Sequence, residues 1–133
     1  DYAGTQSLNK AFADRWVIWD KPFPNKEQLN AIFGKRYPNL QSEYKDLIIK
    51  LATEINNSFM SEDISINIET PMSLRTIVER IPIGLDVYSD SKDPLKDTWE
   101  NFVLPHVNKE DLDHYKTLWN TIVRKGPSIK PKL

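Results

Sequence analysis

Apolar residues return at helical spacing over most of this chain. Leu40, Tyr44, Leu47, Ile48, Leu51, Ile55 and Phe59 make the longest such series, which predicts a helix of about five turns. Ahead of it, Leu29, Ile32 and Phe33 form a shorter stripe. Asn25 is placed to cap that helix, with Gln28 completing a capping box, while Gly34 weakens its end and Pro38 punctuates. After residue 70 three further series follow. Thr70-Pro71 opens one with Leu74, Ile77, Val78 and Ile81 inward, and Pro82 and Gly84 are expected to kink or end it. Leu95, Trp99, Phe102 and Val103 make the next, interrupted by Pro105. Asn108 is expected to cap the last, which carries Leu112, Tyr115, Leu118, Trp119 and Ile122.

Two stretches break this period. Trp16-Val17-Ile18-Trp19 is a short apolar run bounded by Asp20-Lys21-Pro22-Phe23-Pro24, which predicts a strand. Ile64, Ile66 and Ile68 alternate with polar residues and predict a second, short extended segment. A short helix is expected from Ser7 to Asp14, with Leu8, Ala11 and Phe12 on one face. The tail from Gly126, with Pro127 and Pro131, is expected to fray. The prediction is a mainly α protein: a bundle of four or five helices with one or two short strands. A lone strand ahead of a helical bundle also predicts that its partner strands precede Asp1. The first residue, Asp rather than Met, fits an internal or processed start.

Composition narrows the chemistry. The chain has 133 residues, enough for one modest core. Its formal net charge of −1 supplies no global field for nucleic acid or anionic lipid. The absence of cysteine removes disulfides, thiol nucleophiles and thiolate metal sites, and fits a reducing, cytoplasmic setting. No apolar run approaches the roughly 20 residues of a membrane helix. His106 and His114 lack further ligands at metal spacing and are expected to be surface or structural residues. Glu110, Asp111 and Asp113 read as a solvated first helical turn, and Trp99 and Trp119 as core anchors. Arg124, Lys125, Lys130 and Lys132 make a basic tail that usually means only solvation.

Three segments carry a likeness. Gly4-Thr5 leads to Leu8-Asn9-Lys10-Ala11 and then Asp14-Arg15-Trp16. Pro22-Phe23-Pro24-Asn25 precedes Leu29. Pro71-Met72-Ser73-Leu74-Arg75 opens a helix. In this order they resemble the end of the nucleotide-binding core, the linker and the sensor-2 helix of AAA+ ATPases of the MoxR and cobaltochelatase small-subunit group. The likeness covers about the first 80 residues. It implies that residues 1–24 end the core (helix, last strand, linker) and that residues 25–133 form the helical lid and C-terminal region.

The resemblance implies a parent that couples ATP hydrolysis in a homo-oligomeric ring to remodelling of a protein partner or a metal-insertion complex. Arg15 would be the arginine finger acting on a neighbouring subunit's nucleotide, and Arg75 the lid sensor. A finger stabilises charge that builds on the transferred phosphoryl oxygens. ATP and magnesium belong to the parent. This chain has no Gly-x-x-x-x-Gly-Lys-Ser/Thr loop and no apolar strand ending in paired acids, so alone it is expected to bind no cofactor and to be inactive. Neighbouring subunits and a protein substrate are the expected partners, with no membrane and no nucleic acid. The rival reading is a free-standing helical adaptor domain.

Overall fold

A computed structural model describes residues 23–133. The predicted helix at 7–14, the strand at 16–19 and Arg15 lie outside the described residues. The described part is mainly helical, as the periodicity implies, and it contains no strand. Helix α1 (Lys26–Arg36) and helix α2 (Ser42–Met60) form an antiparallel pair. A wide π turn (Thr76–Arg80) runs straight into α3 (Ile81–Val87). Helix α4 (Pro94–Thr98) likewise runs into a second π turn (Trp99–Val103) and a 3-10 turn (Leu104–His106). A further 3-10 turn (Lys109–Asp111) leads into α5 (Leu112–Ile122). No helix among the described residues is long and apolar enough to cross a membrane.

Helix α2 is the axis of the bundle. Tyr44, Ile48, Leu51, Ala52, Ile55 and Phe59 are buried along it, and α1, α5 and the first π turn all pack against it. Asn25 forms the expected capping box: its side chain accepts from the Gln28 N–H at 2.8 Å, and Gln28 Oε1 accepts from the Asn25 N–H at 2.8 Å. Phe23 stands edge-on to Phe59 at 5.7 Å, which fixes where the chain enters the bundle. Trp99 and Trp119 are buried as expected, 5.5 Å apart, and Trp99 also meets Tyr115 at 5.8 Å.

Pro82 does not end its helix. A proline has no N–H, and its ring crowds the carbonyl four residues back. The turn before it is widened instead, so that the Ile81 N–H donates to Thr76 O, five residues back. The Val78 carbonyl, which Pro82 cannot serve, accepts from the Tyr37 hydroxyl at 2.6 Å. Pro105 is met the same way, with the Leu104 N–H bonded to Trp99 O. Gly84 lies where α3 crosses Thr98. A Cβ there would come within 2.4 Å of Thr98 Cγ2, so the crossing requires a residue without one.

Other expectations are corrected. The Ile64–Ile68 stretch is a turn leading into irregular chain, not a strand, because the Asp63 carboxylate captures the Ser65 N–H at 3.0 Å and hydroxyl at 2.7 Å, and no strand lies among the described residues to pair with it. Leu74 is exposed, and Met72, two residues earlier and ahead of the helix, takes the buried place. Asn108 makes no side-chain cap and precedes a 3-10 turn. The tail does not fray: the Tyr44 hydroxyl donates to the Ile129 carbonyl, and Pro131 is buried. Gln41 brackets the tail by donating to Lys130 O at 2.7 Å and accepting from the Lys132 N–H at 3.1 Å. Lys130 also pairs with Asp90 at 3.0 Å, so part of the basic tail is an anchor.

Candidate functional site

The segment from Thr70 to Arg75 is irregular, yet nearly every polar group in it is tied down. Asn56, buried on α2, holds Met72 by both backbone groups: its amide donates to Met72 O at 3.0 Å and its oxygen accepts from the Met72 N–H at 2.8 Å. Thr70 is held from the other side. Its N–H donates to Asp111 Oδ2 at 2.8 Å, its carbonyl accepts from the Tyr115 hydroxyl at 2.6 Å, and its hydroxyl accepts from the Asn108 N–H at 3.0 Å. The Glu69 N–H donates to the same Asp111 oxygen at 3.1 Å. Asp111 is therefore buried and structural rather than part of a solvated turn. Burial, then the nearby Asp111 charge, pushes the Tyr115 phenol well above its ordinary range.

Ser73 then starts the helix, its Oγ accepting from the Thr76 N–H at 3.2 Å. Arg75 follows on the outward face with 74% of its side chain exposed. Its Nε lies 3.7 Å from Glu79 Oε1, and the other Glu79 oxygen lies 3.8 Å from Arg36 Nη1 at the end of α1. One carboxylate thus links two surface guanidinium groups. At these distances and exposures the pairs are weak, and both cations keep most of their donors for an anion.

Sequence reasoning missed two neighbours of Arg75. Arg36 is brought beside it only by the packing of α1, at a sequence distance no local pattern reveals. Arg80 is half-buried, donates from Nη1 to Thr76 Oγ1 at 3.2 Å, and lines a cavity of about 110 Å³ with Ser73, Thr76, His106 and Tyr115. Its helical spacing from Thr76 was visible in the sequence, but nothing there marked it as inward. His106 is exposed, and His114 pairs with Ser58 Oγ at 3.0 Å. No three His, Asp or Glu side chains among the described residues come together as a metal site.

The arrangement offers anion contacts, at Arg75 and Arg36 on the surface and at Arg80 in its small cavity. It brings together no nucleophile, base and acid. Comparison with protein-family models, curated proteins and solved structures finds no match to this chain.

Proposed function

We infer that this chain is the lid-containing C-terminal part of an AAA+ ATPase of the MoxR or cobaltochelatase small-subunit kind. Its parent would couple ATP hydrolysis in a ring to remodelling of a protein partner or a metal-insertion complex. The observation that supports this reading is the setting of the Ser73-x-Arg75 motif. A serine-capped helix start, clamped from both α2 and α5, holds an arginine out toward solvent. An anion approaching there would meet a guanidinium whose backbone cannot retreat. Arg75 is suited to touch a phosphate held by its own subunit's core, and Arg15 would act on the neighbour's nucleotide. The chain's own residues are not expected to cradle a nucleotide: the sequence has no phosphate loop and no apolar strand ending in paired acids.

A second reading keeps a specific observation on its side. Ile83 and Val87 stand one turn apart on α3 and are 55% and 60% exposed, as on a helix that meets another protein.

The parent's reading frame separates the two. The ATPase reading expects a Gly-x-x-x-x-Gly-Lys-Ser/Thr segment encoded in frame before Asp1, and an Arg15→Ala parent whose turnover falls by on the order of 10³ with ATP affinity kept. A frame without that segment, or an Arg15→Ala parent hydrolysing at the original rate, overturns it. Calorimetry of this chain with ATP and magnesium should show no micromolar binding.

A further inference from the structure

The loop after α2 is acidic, rigid and tipped with an outward isoleucine. Glu62 and Asp63 are exposed, and Ile64 is 90% exposed. The loop is nevertheless stapled from within. The Asp63 N–H donates to Ser61 Oγ at 3.0 Å, the Asp63 carboxylate holds Ser65, and the Ile66 N–H donates to Asp63 O at 3.1 Å. Asn67 ties the base to Phe59 O and Ser61 O at 3.2 and 2.8 Å. A loop ordered this well loses little entropy on docking, and its apolar tip has no role inside its own molecule.

The opposite character is found in a cleft of about 280 Å³ between the α4 segment and α5. Half-buried Leu104 and the edges of the buried Trp99 and Trp119 form its floor, and Lys96, Lys116 and Arg124 charge its rim against the single acid Glu100. Those three cations form no ion pair with the described residues. Arg124 has φ 60, a left-handed conformation that suits glycine at a helix end and is unfavourable for residues with a Cβ. It is the sole non-glycine residue among those described with positive φ. The strain sits where a guanidinium faces the cleft. The Trp99 indole N–H is buried with no acceptor.

We propose that this cleft receives the Glu62–Ile66 loop of a second copy of the chain. The charge match carries the pairing: the loop's exposed acids meet the cleft's three cations, and Ile64 would rest on Leu104 at its floor. The cleft is small and open for a drug-sized ligand, and a net charge of −1 with Glu100 in the rim argues against a polyanion. Loop and cleft lie on different parts of one molecule, so the contact is head-to-tail and propagates into a ring or a chain. It needs no nucleotide and stands apart from the ATPase reading.

Sedimentation equilibrium on the whole chain tests this. In low salt the mean mass should rise as protein increases from about 10 µM to about 1 mM, as a contact of roughly millimolar or tighter affinity requires. High salt should reverse the rise. Lys116→Glu with Arg124→Glu should hold the chain monomeric, and so should Glu62→Gln with Ile64→Ser. Mixed together, the two variants should form a one-to-one dimer and nothing larger, because each keeps one intact half of the contact. A milder pair, Lys116→Gln with Arg124→Gln, should weaken association at an unchanged melting temperature, which excludes misfolding as the cause. A parent that stays monomeric throughout, association indifferent to these variants, or a mixture without heterodimer overturns the proposal.

Discussion

Replacing Asp111 by alanine removes one oxygen that accepts from two backbone N–H groups, those of Glu69 and Thr70, at 3.1 and 2.8 Å. Hydrogen bonds to a charged acceptor are worth about 1.5–3 kcal/mol each where water cannot replace them. Both donors are partly buried, so water recovers some of the loss, and a net cost of about 3 kcal/mol is expected for the pair. For a domain of this size that corresponds to a fall in melting temperature of roughly 10–20 °C. Asp111→Asn keeps an oxygen that can take the same two donors and loses only the charge. It should cost about 1 kcal/mol.

Urea and thermal unfolding of the two variants give the comparison, and amide hydrogen exchange locates the damage. Alanine should speed exchange first at Glu69 and Thr70, then through the start of the Arg75 helix, before α1 or the first turns of α2 respond. An alanine variant that melts within about 2 °C of the parent would show that the clamp is redundant. An asparagine variant as damaged as alanine would show that charge, rather than acceptor geometry, holds the loop.

Gly84→Ala should destabilise by about 1–3 kcal/mol through overpacking against Thr98, whereas Gly34→Ala, with open space at its Cβ inside α1, should gain about 0.5–1 kcal/mol; equal effects in urea melts would contradict the packing. In alkali, Tyr44, pushed up to about 12 first by burial and then by the Asp93 charge, favours the neutral phenol in the folded state. Its contribution is therefore full below the ordinary value near 10 and is lost as pH rises toward 12, at most about 2 kcal/mol; Tyr44→Phe should flatten that part of the pH–stability curve, and an unchanged curve would refute the assignment. Arg75→Ala should leave the stability of this chain unmoved to within about 0.5 kcal/mol, since its ion pair with Glu79 is exposed, while slowing ATP turnover in the parent; a parent with unaltered turnover and nucleotide affinity would reduce Arg75 to a surface residue.

The helical skeleton was legible because burial obeys the period of the backbone. The series from Leu40 to Phe59 predicted α2, and the Asn25–Gln28 pair predicted the start of α1 and its cap. What failed to read were decisions made by tertiary partners. Pro82 looked like a stop because no sequence rule announces a π turn, nor that Tyr37, 41 residues earlier, would serve the stranded Val78 carbonyl. Asp111 looked solvated because its partners lie 41 and 42 residues back. The tail looked frayed because prolines and lysines compose it, yet Tyr44 and Gln41 pin its carbonyls from 85 and 89 residues away. The alternation of Ile64, Ile66 and Ile68 is a true strand pattern with no sheet to join among the described residues, and a local Asp63 turn prevailed. For the candidate site, the sequence offered Arg75 through its motif. Arg36 and Arg80 came only with packing.

The clamps at Asn56 and Asp111 bear on how Arg75 could act. Thr76, Ile77, Val78 and Ile81 bury the inner face of its helix, and Gly84 lets that helix lie directly on Thr98. The first π turn keeps the Arg75 helix unbroken through Pro82 to Val87, and the second carries the α4 segment on to Leu104, so neither helix is broken at its proline. A force applied at the Arg75 guanidinium would therefore be carried by the bundle as a body instead of being absorbed by local unwinding. That is the mechanical property a lid needs if contact with a phosphate is to move a surface on its far side. The basic cleft shares this rigidity, since α5 joins the Asp111 clamp at its start to Lys116 and Trp119, with Arg124 just past its end. A rotation that began at Arg75 would then carry the outer face of α5 with it, with the bundle between them acting as the lever.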